Sequence, residues 1–408
     1  MSRRKLISPE EALRTVLSNV RASKAERVAL AGAAGRRLAQ DIRGDRDQPP
    51  ADRSAMDGYA VIAADVRRAP ARLRLIGEVA AGSAARPRVR PGTCATILTG
   101  ANLPSGADAV VQVEHTERQG QEIILHDSPK RGLNIRRRGE EAKRGDVLLP
   151  KGMLLGPAQI GVCAMVGRDR VKVHACPKAA VLCTGAEVRD VGERVAAHQL
   201  RDSNGPALLA AMAAQGFGGA TRCIVHDDPG IIAARMKRAL RTRSVLLVTG
   251  GVSVGRYDYV PEAVRRIGGR IRFHGVQMKP GKPQLYATLP GGKHIFGLPG
   301  NPVSVLTGFH ELALPALRKL SGAPVDECRP TARLRLVGAA RSRSDRTYFA
   351  LARVIQTADG PAAAPVESSG SADIIAACEA DGVMVIPKGI KELAAGSMVE
   401  FHTWKKAP

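Results

Sequence analysis

Three stretches decide the fold: AAVLCTGAEV (179–188), VLLVTGGVSVGRYDYV (245–260) and HIFGLPGNPVS (294–304). Each starts as a short apolar run of strand length and passes directly into a glycine-bearing loop. Helix-period segments lie between them, at Pro206 to Gln215, Gly230 to Leu240 and Pro261 to Ile267. Further strand-like runs fall at Arg222 to His226, Ile271 to Met278 and Leu285 to Thr288. Pro302 to Leu320 closes the region as a long helix with Leu306, Phe309, Ala313, Leu317 and Leu320 on one face. Pro315 is expected to kink or break that helix near its end. The alternation predicts an open α/β sheet flanked by helices over 176–325.

Outward from this centre the character changes. Ser8-Pro9-Glu10-Glu11 combines an N-cap, proline at N1 and a capping-box glutamate, and Leu13, Val16, Leu17 and Val20 follow at helical spacing. A helix over 9–22 is predicted. Residues 46–142 alternate short Val/Ile/Leu runs (Arg72 to Val79, Cys94 to Leu98, Ala109 to Val113, Glu122 to Leu125) with Gly/Pro turns, the pattern of a small β domain. A short helix is expected within 143–175. Residues 326–408 return to short strands, such as Ala332 to Val337 and Gly382 to Ile386, with Pro361 to Pro365 read as a low-complexity turn.

The chain has 408 residues, of which 62 are Lys or Arg and 38 Asp or Glu, a formal net charge of +24. Residues 151–350 alone hold +17, so the excess sits on the α/β part. Nucleic-acid binding needs a groove-fitting motif or stacking aromatics as well as charge, and only 3% of the chain is aromatic. A small, highly charged anion suits the pattern as well, because convergent positive potential concentrates it. No apolar run approaches the ~20 residues of a membrane span, and the N-terminal stretch lacks the apolar core of a secretory signal. The seven cysteines form no Cys-x-x-Cys pair, and their odd number excludes a complete disulfide set. Reduced thiols in the cytoplasm are expected.

The chemistry-bearing residues cluster on loops. Thr184 to Glu187, Thr249 to Gly255 (with Gly250, Gly251 and Ser253) and Gly297 to Pro302 (with Pro299, Gly300 and Asn301) lie at the carboxyl ends of strands, where open α/β sheets bind ligands. Each loop alone reads as an ordinary βα turn. Three in one sheet, with no Walker-A or Gly-x-Gly-x-x-Gly motif, point to a non-Rossmann anion pocket. Asn301-Pro302 also supplies an N-cap and N1 proline to a helix whose terminus favours phosphate. Lys279-Pro280-Gly281-Lys282-Pro283 holds two ammonium groups on a proline-stiffened turn, which makes sense with an oxyanion between them. Carboxylates punctuate the same loops: Asp57, Glu187, Asp202, Asp227, Asp228 and Asp258. Asp202-Ser203-Asn204 before a helix is consistent with capping as well as with ligand binding. Acidic groups beside an anion pocket suggest a divalent metal bridging phosphate oxygens, for which Mg²⁺ is suited.

The motifs SAMDGYA (54–60), TGANLPSGADAVV (99–111), NIRRRGEE (134–141), CTGAEV (183–188), RDSN (201–204), VTGGVSVGRYDYV (248–260), MKPGKP (278–283) and GLPGNPVS (297–304) resemble, in order, the molybdopterin molybdenumtransferase family. These are the MoeA-type molybdenum insertases, related to the E domain of gephyrin. The resemblance implies a homodimer with four domains. They are a discontinuous N-terminal dimerisation domain (1–45 and 143–175), an inserted β domain (46–142), a central α/β/α molybdopterin-binding-type domain (176–325) and a C-terminal β-barrel (326–408). It implies a cytoplasmic enzyme that inserts molybdate into the dithiolene of adenylylated molybdopterin with divalent-metal-dependent release of AMP. A molybdopterin adenylyltransferase would hand over the substrate.

Carried over by motif, Asp57, Glu187 and Asp258 resemble the acidic groups that assist adenylate cleavage, with Glu187 and Asp258 as metal ligands. Lys279, Lys282 and Ser304 resemble oxyanion contacts, and Ser371 a barrel position near molybdate. Thr99 and Arg137 resemble polar groups of the inserted domain that reach the substrate. Asp202, Ser203, Asn204, Asp228, Gly250, Gly251, Ser253, Pro299, Gly300 and Asn301 complete the substrate loops. The chain departs from the family at Glu141, Ala186 and Arg256, where Asp is common, and at Leu351, where Arg is frequent. It also has Ala51-Asp52-Arg53 in place of an aromatic-Asp-Asn triplet. The alternative is a non-catalytic pterin-binding scaffold that has kept the pocket and lost turnover.

Overall fold

Ser8 starts the first helix by accepting the Glu11 N–H on its hydroxyl, a cap that contributes about 1 kcal/mol. The helix, Pro9–Asn19, stops three residues short of the expected end because Val20 turns extended. Its apolar face, Ala12 and Val16, enters the main core. The computed structural model describes residues 6–84, 87–252, 259–342 and 344–405. The chain divides into two compact units, Met1–Ala39 with Gly152–Gly156 and Lys172–Pro408, and Gln40–Lys151 with Pro157–Val171.

The larger unit is built on a six-stranded sheet: β1 (Ala179–Thr184), β2 (Thr221–Val225), β3 (Val245–Thr249), β4 (Arg270–His274), β5 (Leu285–Leu289) and β6 (Lys293–Leu298). The order is β2-β1-β3-β6-β5-β4. The first four strands of that order are parallel, and β5 and β4 add an antiparallel edge. Every residue of β1 and β3 is buried, as both-face coverage by helices requires. Helices α1 (Asn204–Ala214), α2 (Pro229–Leu240) and α3 (Val260–Arg266) follow β1, β2 and β3. One core layer holds Leu208, Val181, Phe296 and Phe309; the other holds Leu246, Val248, Ile232 and Val264.

The expected strand Ile271 to Met278 is interrupted at Gly275, whose φ is +111°. The expected long helix is α4 (Pro302–Gly308) continued by a widened π-turn at Phe309–Ala313 and a last segment at Leu314–Leu320. Pro315 does not break it. A proline has no N–H for the Glu311 carbonyl one turn back, and the widened turn absorbs the misfit just before it.

The rest of this unit is a barrel of β7 (Ala332–Leu336), β8 (Thr347–Thr357), β9 (Gly360–Pro365), β10 (Gly382–Ile386) and β11 (Met398–Thr403). Pairing runs β8-β9-β7-β11-β10 and closes from β10 back to β8. The stretch Pro361 to Pro365, expected as a turn, is strand β9: its Ala362 to Ala364 are buried against β8. The two residues Met278–Lys279 pair in parallel with Thr347 and Tyr348 at the start of β8.

The smaller unit carries its own six-stranded sheet, in the order Ala109–Gln112, Gly58–Val61, Thr93–Ile97, Ala71–Val79, Glu122–Leu125 and Thr116–Gln119. Tyr59, Val61, Leu73, Val111, Ile123 and Leu125 form its core. A helix at Pro157–Met165 also belongs to it. All seven cysteines are free thiols, and among the described residues no helix is long and apolar enough to cross a membrane.

Candidate functional site

The glycine loops sit together at the carboxyl ends of β1, β3 and β6. Gly250 has φ +81°, and its N–H donates to the Leu298 carbonyl. A Cβ there would lie 2.4 Å from the Thr184 carbonyl, so two strand ends approach closely only because the residue is glycine. Asn204 at the start of α1 donates through Nδ2 to the Gly300 carbonyl at 2.7 Å, which ties the RDSN segment to the GLPGN loop. Its Oδ1 is buried and without a protein partner.

The carboxylates divide by role. Asp202 is buried; Oδ1 accepts the Gly205 N–H at 2.9 Å and Oδ2 pairs with Arg222 at 2.8 Å. Arg222 also holds Asp190, and these two charge-assisted bonds lift its pKa above the ordinary arginine value. Ser203 stands at the N-cap position without making a side-chain cap bond. Asp228 caps α2 by accepting the Ile231 N–H at 2.7 Å. Asp227 accepts the Ala186 N–H at 3.0 Å and so anchors the CTGAEV loop. Glu187, on that loop, is exposed. Ser253, Arg256 and Asp258 lie outside the described residues.

The lysine turn is set by its neighbours. Lys279 Nζ lies 5.9 Å from the Tyr348 ring centroid, a cation–π distance. Beneath the turn Gln284, 1% exposed, donates to the Ser304 carbonyl while its Oε1 has no protein partner. A Cβ at Gly308 would lie 2.3 Å from the Gln284 amide, so the helix backbone closes directly on it. Lys282 is exposed and Ser304 buried. Asn301 does not cap α4, as had been expected. It donates to the Ser371 hydroxyl at 2.8 Å, and the Ser371 carbonyl accepts the Val303 N–H instead.

These contacts close a cavity of about 70 Å³ whose walls include Lys279, Pro280, Val303, Tyr348, Leu351 and Ser371. The structure therefore brings Lys279 and Ser371 to one place although 92 positions separate them in the chain. Leu351, where the family resemblance leads an arginine to be expected, is part of that wall, so one side of the cavity is apolar.

In the smaller unit Asp57 Oδ1 accepts both the Thr99 N–H at 2.6 Å and the Thr99 hydroxyl at 2.7 Å. Those two bonds, the hydroxyl foremost, hold the carboxyl below its ordinary pKa. Gly58 follows because a Cβ would lie 1.9 Å from the Val111 carbonyl of the neighbouring strand. Arg137 is engaged by Asp52 at 2.8 Å. A cavity of about 350 Å³ beside Thr99 is lined by Gln48, Arg53, Arg136 and Glu141. Gln48 Nε2 and Arg53 Nε are buried there without a protein partner. Gln48 and Gln284 carry no local motif, and only the fold shows them; Arg53, noted as a departure from the family triplet, is placed by the fold on this cavity wall. Among the described residues no three His, Cys, Asp or Glu side chains group as a metal centre.

A doubly covered α/β sheet with glycine loops at its carboxyl edge is the architecture of the molybdopterin-binding class of α/β proteins. Residues 180–319 match the profile of the probable molybdopterin binding domain. Residues 7–167 match the MoeA N-terminal region (domains I and II), and 333–404 the MoeA C-terminal region (domain IV). The chain is 32% identical over 405 residues to a molybdopterin molybdenumtransferase of Staphylococcus epidermidis, covering 98% of this chain and 96% of that one. A molybdopterin molybdenumtransferase of Staphylococcus aureus is 31% identical over the same share. The crystal structure of the molybdopterin biosynthesis MoeA protein from Pyrococcus horikoshii OT3 superposes with a TM-score of 0.84 at 29% identity, over 98% of this chain and all of that one. The chain belongs to the MoeA family of molybdopterin molybdenumtransferases.

Proposed function

We propose that this chain inserts molybdate into the dithiolene of adenylylated molybdopterin and releases AMP, the last assembly of the molybdenum cofactor. The observation that carries the reading is the cavity shared by Lys279, Val303 and Ser371, where a cation, a helix start and a serine hydroxyl converge. An ammonium and a hydroxyl donor suit a tetrahedral dianion. The glycine loops, with Gly251, Asn204 and Gly300, would take the phosphorylated pterin against backbone N–H groups, while Gly250 lets the strand ends close up beneath it. Ser203 and Asp228, with Asp202 through its hold on Arg222, would shape that surface.

Glu187 is the described carboxylate of the larger unit that would polarise the phosphoanhydride region; Asp57, kept ionised by Thr99, is the proposed acidic group of the smaller unit. The donor chemistry at Glu187 fits Mg²⁺, which takes one or two hard carboxylate oxygens together with water and substrate phosphate oxygens. Mg²⁺ bound there would neutralise developing charge on the phosphate oxygens. Asp258 is the proposed companion ligand. The reading includes a cytoplasmic homodimer, the four-domain division, Lys282, Ser304, Pro299, Asn301, Ser253 and Arg137 as substrate contacts, and supply of substrate by an adenylyl-transfer enzyme.

Incubation with adenylylated molybdopterin, molybdate and Mg²⁺ tests it. AMP release together with reconstitution of an apo-molybdoenzyme is expected; AMP at the background rate overturns the proposal. The apolar wall at Leu351 favours one second reading, a scaffold that binds pterin without turnover. Tight pterin binding with no AMP release would select it.

A further inference from the structure

The opposite edge of the central sheet carries two adjoining cavities of about 310 and 510 Å³. Lys178 and Ser244 immediately precede β1 and β3, and Lys293 opens β6, so this is the amino edge. One strand length, roughly 20 Å, separates it from the glycine loops. Lys293 lines both cavities. Arg241 and Arg243 line the smaller, and Arg21, Arg270 and Arg272 the larger. Among the described residues no Asp or Glu lines either one.

None of these six cations forms an ion pair with a described residue, whereas Arg36, Arg222, Arg266 and Arg329 are each matched to a carboxylate. Arg243 Nε is buried with no protein partner. Arg272 is steadied by the Thr288 hydroxyl at 2.9 Å, and Lys293 by the Leu240 carbonyl. Like charges gathered around concave surface repel one another unless an anion lies between them. The spread of cations over two cavities that meet at Lys293 calls for several linked anionic centres, not one. Cavities of this size hold small ligands. No Phe, Tyr or Trp lines them, so they offer no platform for stacking exposed bases.

We propose that these cavities bind a linear oligophosphate, free or as the phosphate tail of a nucleotide, at a site separate from the glycine loops. Calorimetric titration of the full chain with metal-free sodium tripolyphosphate at fixed ionic strength tests it. The double variant Lys279→Ala/Lys282→Ala removes the lysines of the candidate active site and is expected to keep tripolyphosphate affinity within about threefold. Adding Arg270→Ala/Arg272→Ala, or Arg241→Ala/Arg243→Ala, should then lower affinity at least about tenfold, with the thermal midpoint preserved. ATP competing as well as tripolyphosphate supports recognition of the phosphate chain itself, and ATP binding more tightly identifies the nucleotide source. Loss of binding in the lysine variant alone overturns the proposal, as does unchanged affinity in both arginine variants. A single-stranded oligonucleotide that binds more tightly than tripolyphosphate also overturns it, in favour of a nucleic-acid surface. Failure of AMP release in the insertion assay leaves this titration unaffected, so the two readings stand or fall separately.

Discussion

At the carboxyl edge of the central sheet most charged groups are committed to the protein itself. Asp202 holds Arg222 and the Gly205 N–H, Asp228 caps α2, and Asp227 anchors the loop that presents Glu187. At the amino edge of the same strands Arg21, Arg241, Arg243, Arg270 and Arg272 have no carboxylate partner among the described residues. The difference separates two uses of charge. Paired charge fixes the shape of a loop and leaves a few groups, Lys279 foremost, for the proposed oxyanion. Unpaired charge fixes little and raises the local concentration of anions. A net charge of +24 therefore says less about specificity than the position of two lysines.

The largest expected effect tests the structural side of this contrast. Asp202→Ala leaves Arg222 with only its outer partner in a site that is mostly closed to solvent, and should cost about 3 kcal/mol in urea unfolding. A loss under ~1 kcal/mol would mean that the pair is ornamental and the carboxylate free to serve a ligand.

A second committed cluster extends the comparison to the barrel. His402 bridges Glu311 at 2.8 Å and Glu400 at 2.7 Å, and Arg329 reaches Glu311 at 3.0 Å. Burial pushes His402 down, but the two carboxylates outweigh it and hold its pKa up at about 9. A pKa raised on folding contributes stability that is complete below the unfolded value near 6.5 and lost as pH rises through 9. The unfolding free energy should fall by on the order of 2 kcal/mol between pH 6.5 and 9.5, and His402→Gln should flatten that slope. An unchanged slope in the variant would break the assignment.

Lys279→Ala with Lys282→Ala should weaken molybdate binding at least tenfold, about 1.4 kcal/mol, with the unfolding midpoint moved by no more than a few degrees. Equal losses of affinity and stability would place the turn with the committed charges. The smallest effect belongs to the amino edge: Arg270→Ala/Arg272→Ala should shift stability by no more than about 0.5 kcal/mol, as urea unfolding can check.

What the sequence made legible follows the same division. The glycine loops, the lysine turn and the cap at Ser8 are local, and their neighbours in the chain are their neighbours in space. Gln284 is not legible locally because its clamp, Gly308, lies two strands and a helix further on. Gln48 is hidden for a similar reason, since the wall of its cavity includes Thr99 and Glu141. Pro361 to Pro365 misled because prolines and alanines read as a turn, while pairing with Thr347–Thr357 makes them a strand. Asp202 could not be assigned between capping and binding until Arg222, on a different strand, was found against it.

The π-turn at Phe309–Ala313 also constrains how this chain can change. Each residue of an α-helix advances its side chains by about 100°, so the widened turn acts as a phase shift between α4 and Leu314–Leu320. Removing one residue there would close the turn to an ordinary α-helical one and leave Leu317 and Leu320 facing the core, but it would re-aim Glu311, inside the turn, away from His402 and Arg329. The segment tolerates exchange of side chains far better than a change of length, and its residue count acts as a ruler between the loop at Asn301 and the barrel.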